Sequence, residues 1–304
     1  MKGWLTLQIK ENFEIKNLTS FKCGGTVKKV FYPESIDEFV QVLQEEPSAQ
    51  VFGNLSNTLV SSDGFDGSLI LTTHLNKITI DNDTVVAECG VKGPKLSQEV
   101  CDKGLSGLEF MIAFPGSIGG EVFMNAGAHG QSVSDTLVEA VCYDKENGLV
   151  TLSKEQLEFS YRTSVCQKRD LVVLSAKFKL IPAEKDCITA KMQENLNFRK
   201  AKQPSLVLPN CGSVFRNPQG DSAGRLLESV GAKTFSFGDA KVWENHANFI
   251  INGKNGTSLD ILELIFKMYS EVKKKYNIEL RPEMRFLGDK NNREVEICKL
   301  LKIK

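Results

Sequence analysis

The chain has 304 residues, of which 41% are hydrophobic and 25% charged, and its 38 Lys and Arg balance its 38 Asp and Glu. This length predicts two or three domains, and the balanced charge excludes a general nucleic-acid binder, which needs a basic surface to follow phosphates. Residues 1–4 and those that follow lack the apolar core of a signal peptide, and no stretch is long enough for a transmembrane helix. We therefore expect a cytoplasmic protein without nucleic-acid, membrane or obligate protein partners.

The cysteines and histidines show no pattern typical of a metal or disulfide site. The eight cysteines are scattered without a C-x-x-C pair, and the three histidines form no H-E-x-x-H motif. We expect no bound metal, and we interpret the cysteines as free thiols in a reducing compartment.

The first third of the chain predicts mixed helix and strand. Residues 35–38, Ser-Ile-Asp-Glu, have the form of a capping box, and apolar residues at helical spacing follow, which predicts a helix. Residues 68–72 and 84–89 are predicted strands, with turn residues at 81–83 between them. Residues 95–103 are a predicted helix, for which Gly104 is a natural end.

The rest of the chain begins with residues 104–130, which are dense in glycine and small side chains. Such a stretch predicts poor packing but allows the backbone to approach a ligand closely. Residues 171–180 predict a strand, and residues 257–260 resemble a capping box before a long helix with one apolar face. Because strands and helices alternate irregularly, the predicted fold is α+β rather than a doubly wound sheet.

Three loops of small or polar residues are candidates for holding a phosphorylated cofactor. Backbone N–H groups in the first loop can bind phosphate oxygens, although an ordinary turn is the simpler interpretation of that motif alone. The other two lie close in sequence and suit a large planar cofactor with a pyrophosphate, although a structural glycine cluster is an alternative. The candidate residues are Gly53, Asn54, Leu55, Ser56, Asn57 and Thr58; Pro115, Gly116, Ser117, Gly119 and Gly120; and Asn125, Ala126 and Gly127.

Three single residues carry side chains that could take part in chemistry. Arg162 can clamp a carboxylate in bidentate fashion, although a surface ion pair is the simpler interpretation of a lone arginine. Ser213 lies in a stiff loop, and we interpret it as a proton donor because no G-x-S-x-G elbow or His–Asp pair indicates a nucleophile. Glu283 lies between arginines and, taken alone, is better explained as a surface charge.

Taken together and in this order, the segments resemble the UDP-N-acetylenolpyruvoylglucosamine reductase family, called MurB. The resemblance runs from residue 19 to residue 288, and its most specific parts are residues 107–110, 115–130, 211–218, 239–242, 246–249 and 282–288. The compact run from 162 to 213 is similar to the shorter form of the family, which lacks an inserted tyrosine-bearing loop. The family implies an α+β fold: a two-part FAD-binding region of the PCMH/VAO type shared with other flavin oxidoreductases, followed by a C-terminal α+β substrate-binding domain.

The resemblance also implies a division of the chain and an activity. FAD-binding subdomain 1 would span residues 1–72, with the tail 289–304 returning to it, subdomain 2 would span 73–200, and a UDP-sugar-binding domain would span 201–288. The expected reaction uses FAD as cofactor and NADPH as hydride donor. It reduces UDP-N-acetylglucosamine enolpyruvate to UDP-N-acetylmuramate for peptidoglycan synthesis.

The family mechanism assigns roles to matching residues. Arg162 would stabilise negative charge on the enolpyruvyl carboxylate, Glu283 would assist in protonated form or through a hydrogen bond, and Ser213 would deliver the proton. A protonated Glu283 requires burial that outweighs the neighbouring arginine charges. The resemblance places substrate contacts at Lys202, Asn217, Arg199 and His246, although a structural role explains His246 about as well.

Two departures from the family pattern leave alternatives open. Leu55 stands where the family usually has glycine, and if the position needs a positive φ, leucine there costs on the order of 1 kcal/mol or more. His129 replaces a frequent tyrosine, and it is the residue to suspect for covalent FAD attachment in another flavin oxidoreductase of the same fold. The second alternative is a relative that binds flavin or a UDP-sugar without turnover, but Ser213, Arg162 and Glu283 all survive together.

Overall fold

The structure is a computed structural model that describes residues 7–303. Residues 1–6 and 304 lie outside the described residues. They include part of the stretch used above for the signal-peptide expectation, the start of the first predicted subdomain and the end of the predicted tail. The chain divides into two compact units. Unit 1 comprises Met1–Lys10, Val30–Asn54 and Ser68–Arg199, and unit 2 comprises Glu11–Lys29, Leu55–Gly67 and Lys200–Lys304. The three-part division expected from the sequence stays a prediction.

The described elements mix strands and helices throughout. The strands are β1 (Gln8–Glu14), β2 (Thr26–Tyr32), β3 (Gln50–Phe52), β4 (Thr58–Val60), β5 (Phe65–Leu71), β6 (Ile78–Asp81), β7 (Thr84–Glu88), β8 (Leu105–Ser106), β9 (Gly127–Ala128), β10 (Gln131–Ser132), β11 (Leu137–Asp144), β12 (Gly148–Ser153), β13 (Val172–Lys179), β14 (Ile181–Pro182), β15 (Ser236–Phe237), β16 (Ala240–Val242), β17 (Ile250–Asn252) and β18 (Arg285–Leu287). The α-helices are α1 (Ile36–Glu45), α2 (Gly93–Asp102), α3 (Ile118–Met124), α4 (Val133–Thr136), α5 (Val165–Arg169), α6 (Lys185–Lys202), α7 (Ala223–Ser229), α8 (Ser258–Tyr276) and α9 (Asn292–Leu301).

The first predicted helix forms as α1 and begins as its sequence indicates. Ser35 is the N-cap, and its Oγ accepts a hydrogen bond from the Glu38 N–H at 3.2 Å. The Glu38 carboxylate returns to the N–H of Glu34 at 2.9 Å rather than to Ser35. Phe39 and Leu43 are buried in one hydrophobic core of unit 1, where the apolar face of the helix packs.

Unit 1 is built on an antiparallel five-stranded sheet of order β12-β11-β13-β7-β6. Helix α2 ends before Gly104, whose φ of +69° is a conformation that favours glycine, as predicted. The glycine-dense stretch 104–130 packs better than predicted, because Leu108, Phe110, Met111 and Ile118 are fully buried in the second core of the unit. The stretch mixes small residues with large apolar ones, and its overall composition does not show which of the large residues are buried.

Unit 2 combines an antiparallel sheet of order β15-β16-β17 with the parallel pair β4–β18 and the long helix α8. The predicted capping box is complete: Thr257 Oγ1 accepts from the Asp260 N–H, and the Asp260 carboxylate accepts from the Thr257 N–H. Helix α9, at the end of the chain, packs against α8, and its Ile297 and Leu301 are buried in the unit 2 core.

The buried carboxylate of Glu294 fastens α9 to the rest of unit 2. Glu294 is 1% exposed, and its two oxygens accept hydrogen bonds from the hydroxyls of Ser61, at 2.6 Å, and of Ser258. Ser258 also donates its N–H to Ser62 Oγ at 2.9 Å. The tail helix therefore contacts the segment that follows β4, within unit 2.

Replacing Glu294 with alanine is expected to lower the free energy of unfolding by about 2 to 4 kcal/mol, because two buried hydroxyls lose their shared acceptor. Urea unfolding at a fixed excess of FAD measures this loss. Glu296 is the matched control: it lies on the same helix, is exposed, and pairs with Arg293 at 2.9 Å, so Glu296→Ala should cost under about 1 kcal/mol. Equal losses in the two variants would contradict the role of Glu294.

Three sequence expectations about membranes, metals and thiols can be compared with residues 7–303. No helix there has the length and apolarity that a membrane crossing needs. The same residues hold no group of three or more His, Cys, Asp or Glu that could bind a metal ion. The eight cysteines are free, and Cys187 alone among them is exposed.

Candidate active site

The first two predicted cofactor loops meet within unit 1. Asn54 Nδ2, just after β3, donates to the carbonyl oxygens of Pro115 at 3.3 Å and Gly116 at 3.4 Å. A Cβ on Gly53 would lie 1.9 Å from Ser117 Oγ, so only glycine allows the two loops to approach this closely. At the exposed Gly120 a Cβ would meet nothing nearer than Ser117 Oγ at 3.8 Å. This open cradle of main chain fits the pyrophosphate of a flavin dinucleotide.

A buried glutamate lies under the second loop. Glu121, in the first turn of α3, is 2% exposed, and neither carboxylate oxygen has a hydrogen-bond partner among residues 7–303. A Cβ on Gly93 or Gly116 would lie 2.4 or 2.6 Å from Glu121 Oε1, so the carboxyl group fills the space between two glycines. Burial raises the pKa of Glu121 from its ordinary value of 4.5 to about 8. At neutral pH the loop therefore contains a neutral carboxylic acid.

The third predicted loop supports Arg162. Asn125 ends α3 in a left-handed conformation, and its side chain donates to the Ser160 carbonyl at 3.1 Å and accepts from the Ser134 N–H at 3.1 Å. Both of its side-chain groups are thus engaged within unit 1. Any cofactor contact by Asn125, Ala126 or Gly127 stays a prediction.

Arg162 is held in a strained turn. Its φ is +55°, and its Nη2 donates to the carbonyl of Gly127 at 2.7 Å. Gln167 Nε2 donates to the carbonyls of Arg162 at 3.1 Å and Phe123 at 2.8 Å, which ties the turn to the end of α3. A non-glycine residue in this conformation persists only where its surroundings fix it, and such residues cluster at functional sites. The structure thus favours a placed side chain over a loose surface arginine.

Ser213 and Glu283 lie on adjacent segments of unit 2. The Glu283 N–H donates to the Val214 carbonyl at 2.8 Å, and the Arg216 N–H donates to the Arg281 carbonyl at 2.9 Å. An antiparallel bridge joins the intervening residues of the two segments. Ser213 is half-buried, and its hydroxyl makes no hydrogen bond within the described part of the chain. The pairing therefore brings a hydroxyl donor and a carboxyl group into neighbouring segments.

The remainder of the first loop is fastened to the Glu283 segment. Asn57 Nδ2 donates to the Glu283 carbonyl at 3.0 Å, and the Asn57 carbonyl accepts from the Arg285 N–H at 3.0 Å. Thr58 then begins β4, which pairs in parallel with β18. The side chain of Asn57 is thus used by the protein, and its predicted cofactor contact, like that of Ser56 and Thr58, stays a prediction.

Leu55 adopts the conformation that the sequence comparison suggested, with φ +52°, yet its side chain is 3% exposed. Leu55→Gly would relieve strain of about 1 kcal/mol but lose a buried side chain, which costs about 2 to 5 kcal/mol. We expect Leu55→Gly to be destabilising by urea unfolding, and Leu55→Ala to be worse by about 1 kcal/mol because alanine keeps the strain. A Leu55→Gly variant more stable than the unmodified protein would show that strain, not burial, decides at this position.

The predicted substrate residues fall in both units. Lys202 is exposed at the end of α6 in unit 2, and Asn217 Oδ1 accepts from the Ala223 N–H at 3.1 Å at the start of α7. Arg199, in unit 1, has a buried Nε without a hydrogen-bond partner among residues 7–303, and burial lowers its pKa. His246 Nδ1 accepts from the Asn248 N–H at 3.1 Å, and burial also lowers the pKa of His246. The neutral imidazole then carries its proton on Nε2.

Sequence reasoning missed one cation beside Ser213. Arg216 follows on the same segment, is half-buried, and has a buried Nε without a partner among residues 7–303. The only signal in the sequence was a charged residue in the otherwise apolar and turn-rich run 213–218. Its place on the Ser213 segment makes it a candidate contact for an anionic ligand.

Comparisons with known proteins show which family the chain resembles. Residues 203–287 match a model described as the UDP-N-acetylenolpyruvoylglucosamine reductase C-terminal domain, and residues 27–153 match a FAD binding domain. A UDP-N-acetylenolpyruvoylglucosamine reductase of Clostridium botulinum (strain Eklund 17B / Type B) is 38% identical over 286 residues, which cover 93% of this chain and 94% of the relative. The chain belongs to the UDP-N-acetylenolpyruvoylglucosamine reductase family.

Other members of the reductase family support the same conclusion. The reductase of Syntrophomonas wolfei is 40% identical over 287 residues, with 93% of this chain and 96% of the relative covered. The crystal structure of the MurB reductase from Thermus caldophilus has a TM-score of 0.79 at 30% identity and covers 93% of this chain and 99% of its own. The α+β fold expected from the sequence, a FAD-binding region followed by the C-terminal domain of the MurB family, is confirmed.

Proposed function

We propose that the protein catalyses the FAD-mediated, NADPH-dependent reduction of UDP-N-acetylglucosamine enolpyruvate to UDP-N-acetylmuramate, a step in making the peptidoglycan precursor. The observation that carries this proposal within the reductase family is the pairing of the Ser213 and Glu283 segments through the 2.8 Å hydrogen bond from Glu283 N to Val214 O. The proposal keeps the cytoplasmic location and the lack of an obligate protein partner that were expected from the sequence.

The loops of unit 1 would hold FAD. Gly53 and Asn54 meet Pro115, Gly116 and Ser117 in a glycine cradle that leaves main-chain N–H groups close to a ligand. Bound FAD supplies the hydride transfer between NADPH and the vinyl carbon of the substrate. The chain's part is to bind, orient and protonate.

Arg162 and Glu283 would act on the substrate carboxylate. Hydride addition to the vinyl carbon leaves negative charge on the adjacent carbon and on the carboxylate conjugated with it. A guanidinium held in a fixed turn, as Arg162 is by Gly127 and Gln167, stabilises such charge without reorganising. Glu283 would donate a hydrogen bond to the same carboxylate when it carries a proton.

Ser213 would complete the reduction. Its hydroxyl proton would pass to the carbon adjacent to the one that receives the hydride, so that one C=C bond becomes a C–C bond with two new C–H bonds. The half-buried position of Ser213 and its unused hydroxyl support this role. Proton exchange with solvent then restores the hydroxyl.

The substrate's UDP-sugar would be bound by the residues that the family resemblance indicates. Lys202 and Arg199 supply positive charge for the diphosphate, and Asn217 supplies an amide for polar groups of the nucleotide or sugar. His246 would act as a neutral Nε2–H donor, because its Nδ1 already accepts from Asn248. We add Arg216 to this set because its Nε has no partner within residues 7–303.

A stopped-flow experiment on FAD-loaded protein without oxygen tests the proposal. NADPH should bleach the flavin absorbance band, and UDP-N-acetylglucosamine enolpyruvate should then restore it. Bleaching without recovery would contradict the proposal and indicate another flavin oxidoreductase of the same fold. If the protein cannot be loaded with FAD, a non-catalytic binding protein is the remaining interpretation. Release of free FAD on denaturation would exclude covalent attachment through His129.

A further inference from the structure

Asn248 makes an unusual set of hydrogen bonds with the segment that carries Ser213. It lies in the turn between β16 and β17 and is 4% exposed. Its Oδ1 accepts from the Phe215 N–H at 3.0 Å, and its Nδ2 donates to the Phe215 carbonyl at 2.9 Å. One amide side chain therefore satisfies both main-chain groups of a single residue, as a neighbouring strand would do.

The main chain of Asn248 continues this pairing. Its carbonyl accepts from the Val214 N–H at 2.9 Å, and its N–H donates to His246 Nδ1 at 3.1 Å. The Ser213 segment is thus held on one side by Asn248 and on the other by Arg281 and Glu283. The N–H and carbonyl of Phe215 bond to the Asn248 side chain and not to the Glu283 segment. The Asn248 side chain therefore makes the hydrogen bonds that a further strand would make on this side.

We propose that Asn248 is a positioning residue for the reaction: its side chain fixes the main chain at Phe215 and thereby sets where the Ser213 hydroxyl delivers its proton. The inference rests on the proposed function, since it takes Ser213 as the proton donor. Residues 213 and 215 are separated by Val214 alone, whose N–H donates to the Asn248 carbonyl and whose carbonyl accepts from the Glu283 N–H. A rotation of the peptide groups around Phe215 therefore displaces the Ser213 hydroxyl, and proton transfer depends steeply on such distances.

A purely structural role for Asn248 is the competing explanation, and Asn252 provides a matched control. Asn252 is also a buried asparagine of unit 2, at 2% exposure, and its Nδ2 donates to the carbonyls of Phe21 at 3.0 Å and Gly256 at 3.2 Å. It is the same residue type with a comparable number of main-chain bonds, but its side chain binds neither the Ser213 nor the Glu283 segment.

The test measures both half-reactions on FAD-loaded variants by stopped flow. We expect Asn248→Ala to slow the substrate-driven recovery of the flavin band by roughly 10- to 100-fold while NADPH-driven bleaching stays within about twofold. Asn252→Ala should leave both rates within about twofold of the unmodified protein. Recovery at the normal rate in Asn248→Ala, or an equal slowing in Asn252→Ala, would overturn the proposal.

An aspartate at this position gives a second, independent readout. In Asn248→Asp the ionised side chain accepts from Phe215 N–H but cannot donate to its carbonyl, whereas the protonated acid does both. The recovery rate of Asn248→Asp relative to the unmodified protein should therefore rise as the pH is lowered, while that of Asn248→Ala relative to the same reference should not. A flat ratio for the aspartate variant overturns the proposal even if the alanine variant does not fold.

The two levels of hypothesis fail in different ways. If the unmodified protein itself shows no recovery with UDP-N-acetylglucosamine enolpyruvate, the proposed function falls, and the role of Asn248 falls with it. If the unmodified protein recovers and both Asn248 variants match it, the function stands and only the positioning role is lost.

Discussion

Replacing Ser213 with alanine is expected to leave NADPH-driven bleaching of the flavin band unchanged and to slow substrate-driven recovery by about 100- to 10,000-fold, the usual contribution of a positioned general acid. The reason is that the hydroxyl enters only when the carbon next to the hydride acceptor needs a proton. Ser213→Cys should recover part of the rate, because a thiol is also a proton donor. Single-turnover stopped flow separates the two half-reactions and measures each rate directly.

Ser236 is the control for this variant. It lies exposed on β15 in the same unit, so Ser236→Ala should change neither half-reaction. A Ser213→Ala protein with normal recovery would show that solvent, or a different side chain, delivers the proton. Equal slowing of both half-reactions would indicate instead that the substitution disturbs the site as a whole.

Replacing Glu121 with glutamine is expected to stabilise the protein increasingly as the pH rises. In the folded state burial raises the Glu121 pKa to about 8, whereas in the unfolded chain it returns to its ordinary value of 4.5. Below the lower value both states are protonated and the residue carries no penalty. Between the two values only the unfolded chain releases the proton, which lowers the free energy of unfolding by about 1.4 kcal/mol per pH unit, or about 5 kcal/mol by pH 8.

Glutamine cannot ionise, so the Glu121→Gln variant escapes this loss. Urea unfolding across that pH range, at a fixed excess of FAD, should show near-equal stability at the acidic end and a growing advantage for the variant toward pH 8. Glu109 is the matched control, since its buried carboxylate accepts from Ser106 Oγ at 2.5 Å and from the Gly107 N–H at 2.9 Å. Glu109→Gln should be destabilising. A pH-independent difference for Glu121→Gln would contradict the prediction.

Local signals in the sequence predicted the elements that begin with a cap. Ser35 and Thr257 predict the starts of α1 and α8, because a capping hydrogen bond joins residues only three apart in sequence. Gly104 likewise marks the end of α2 through its own backbone preference. The packing of the glycine-dense stretch was harder to predict, because composition does not reveal that Leu108 and Phe110 are buried in a core.

The candidate site was predictable in its residue types but not in its contacts. Ser213 and Glu283 were both identified from the sequence. Their pairing was not, because it depends on how two segments far apart in sequence align, and periodicity carries no information about that alignment. Sequence reasoning did not single out Glu121, and only its packing between two glycines shows that it is buried and without a hydrogen-bond partner among residues 7–303. Asn248 belongs to the run 246–249 that carries part of the family resemblance, but its hydrogen bonds to Phe215 were not predicted, because an asparagine in a turn predicts a local bond.

The bond from Asn57 to Glu283 spans 226 residues of sequence, and this separation has a consequence for how the protein is made. Unit 2 draws on Glu11–Lys29, Leu55–Gly67 and Lys200–Lys304, whereas no residue of unit 1 lies beyond Arg199. During synthesis the two early segments must therefore leave the ribosome long before their partners exist. Contacts of such long range fold slowly, and apolar residues such as Phe21 and Leu59 stay exposed in the meantime. We therefore expect the nascent chain to be prone to aggregation until β18 and α9 have been synthesised.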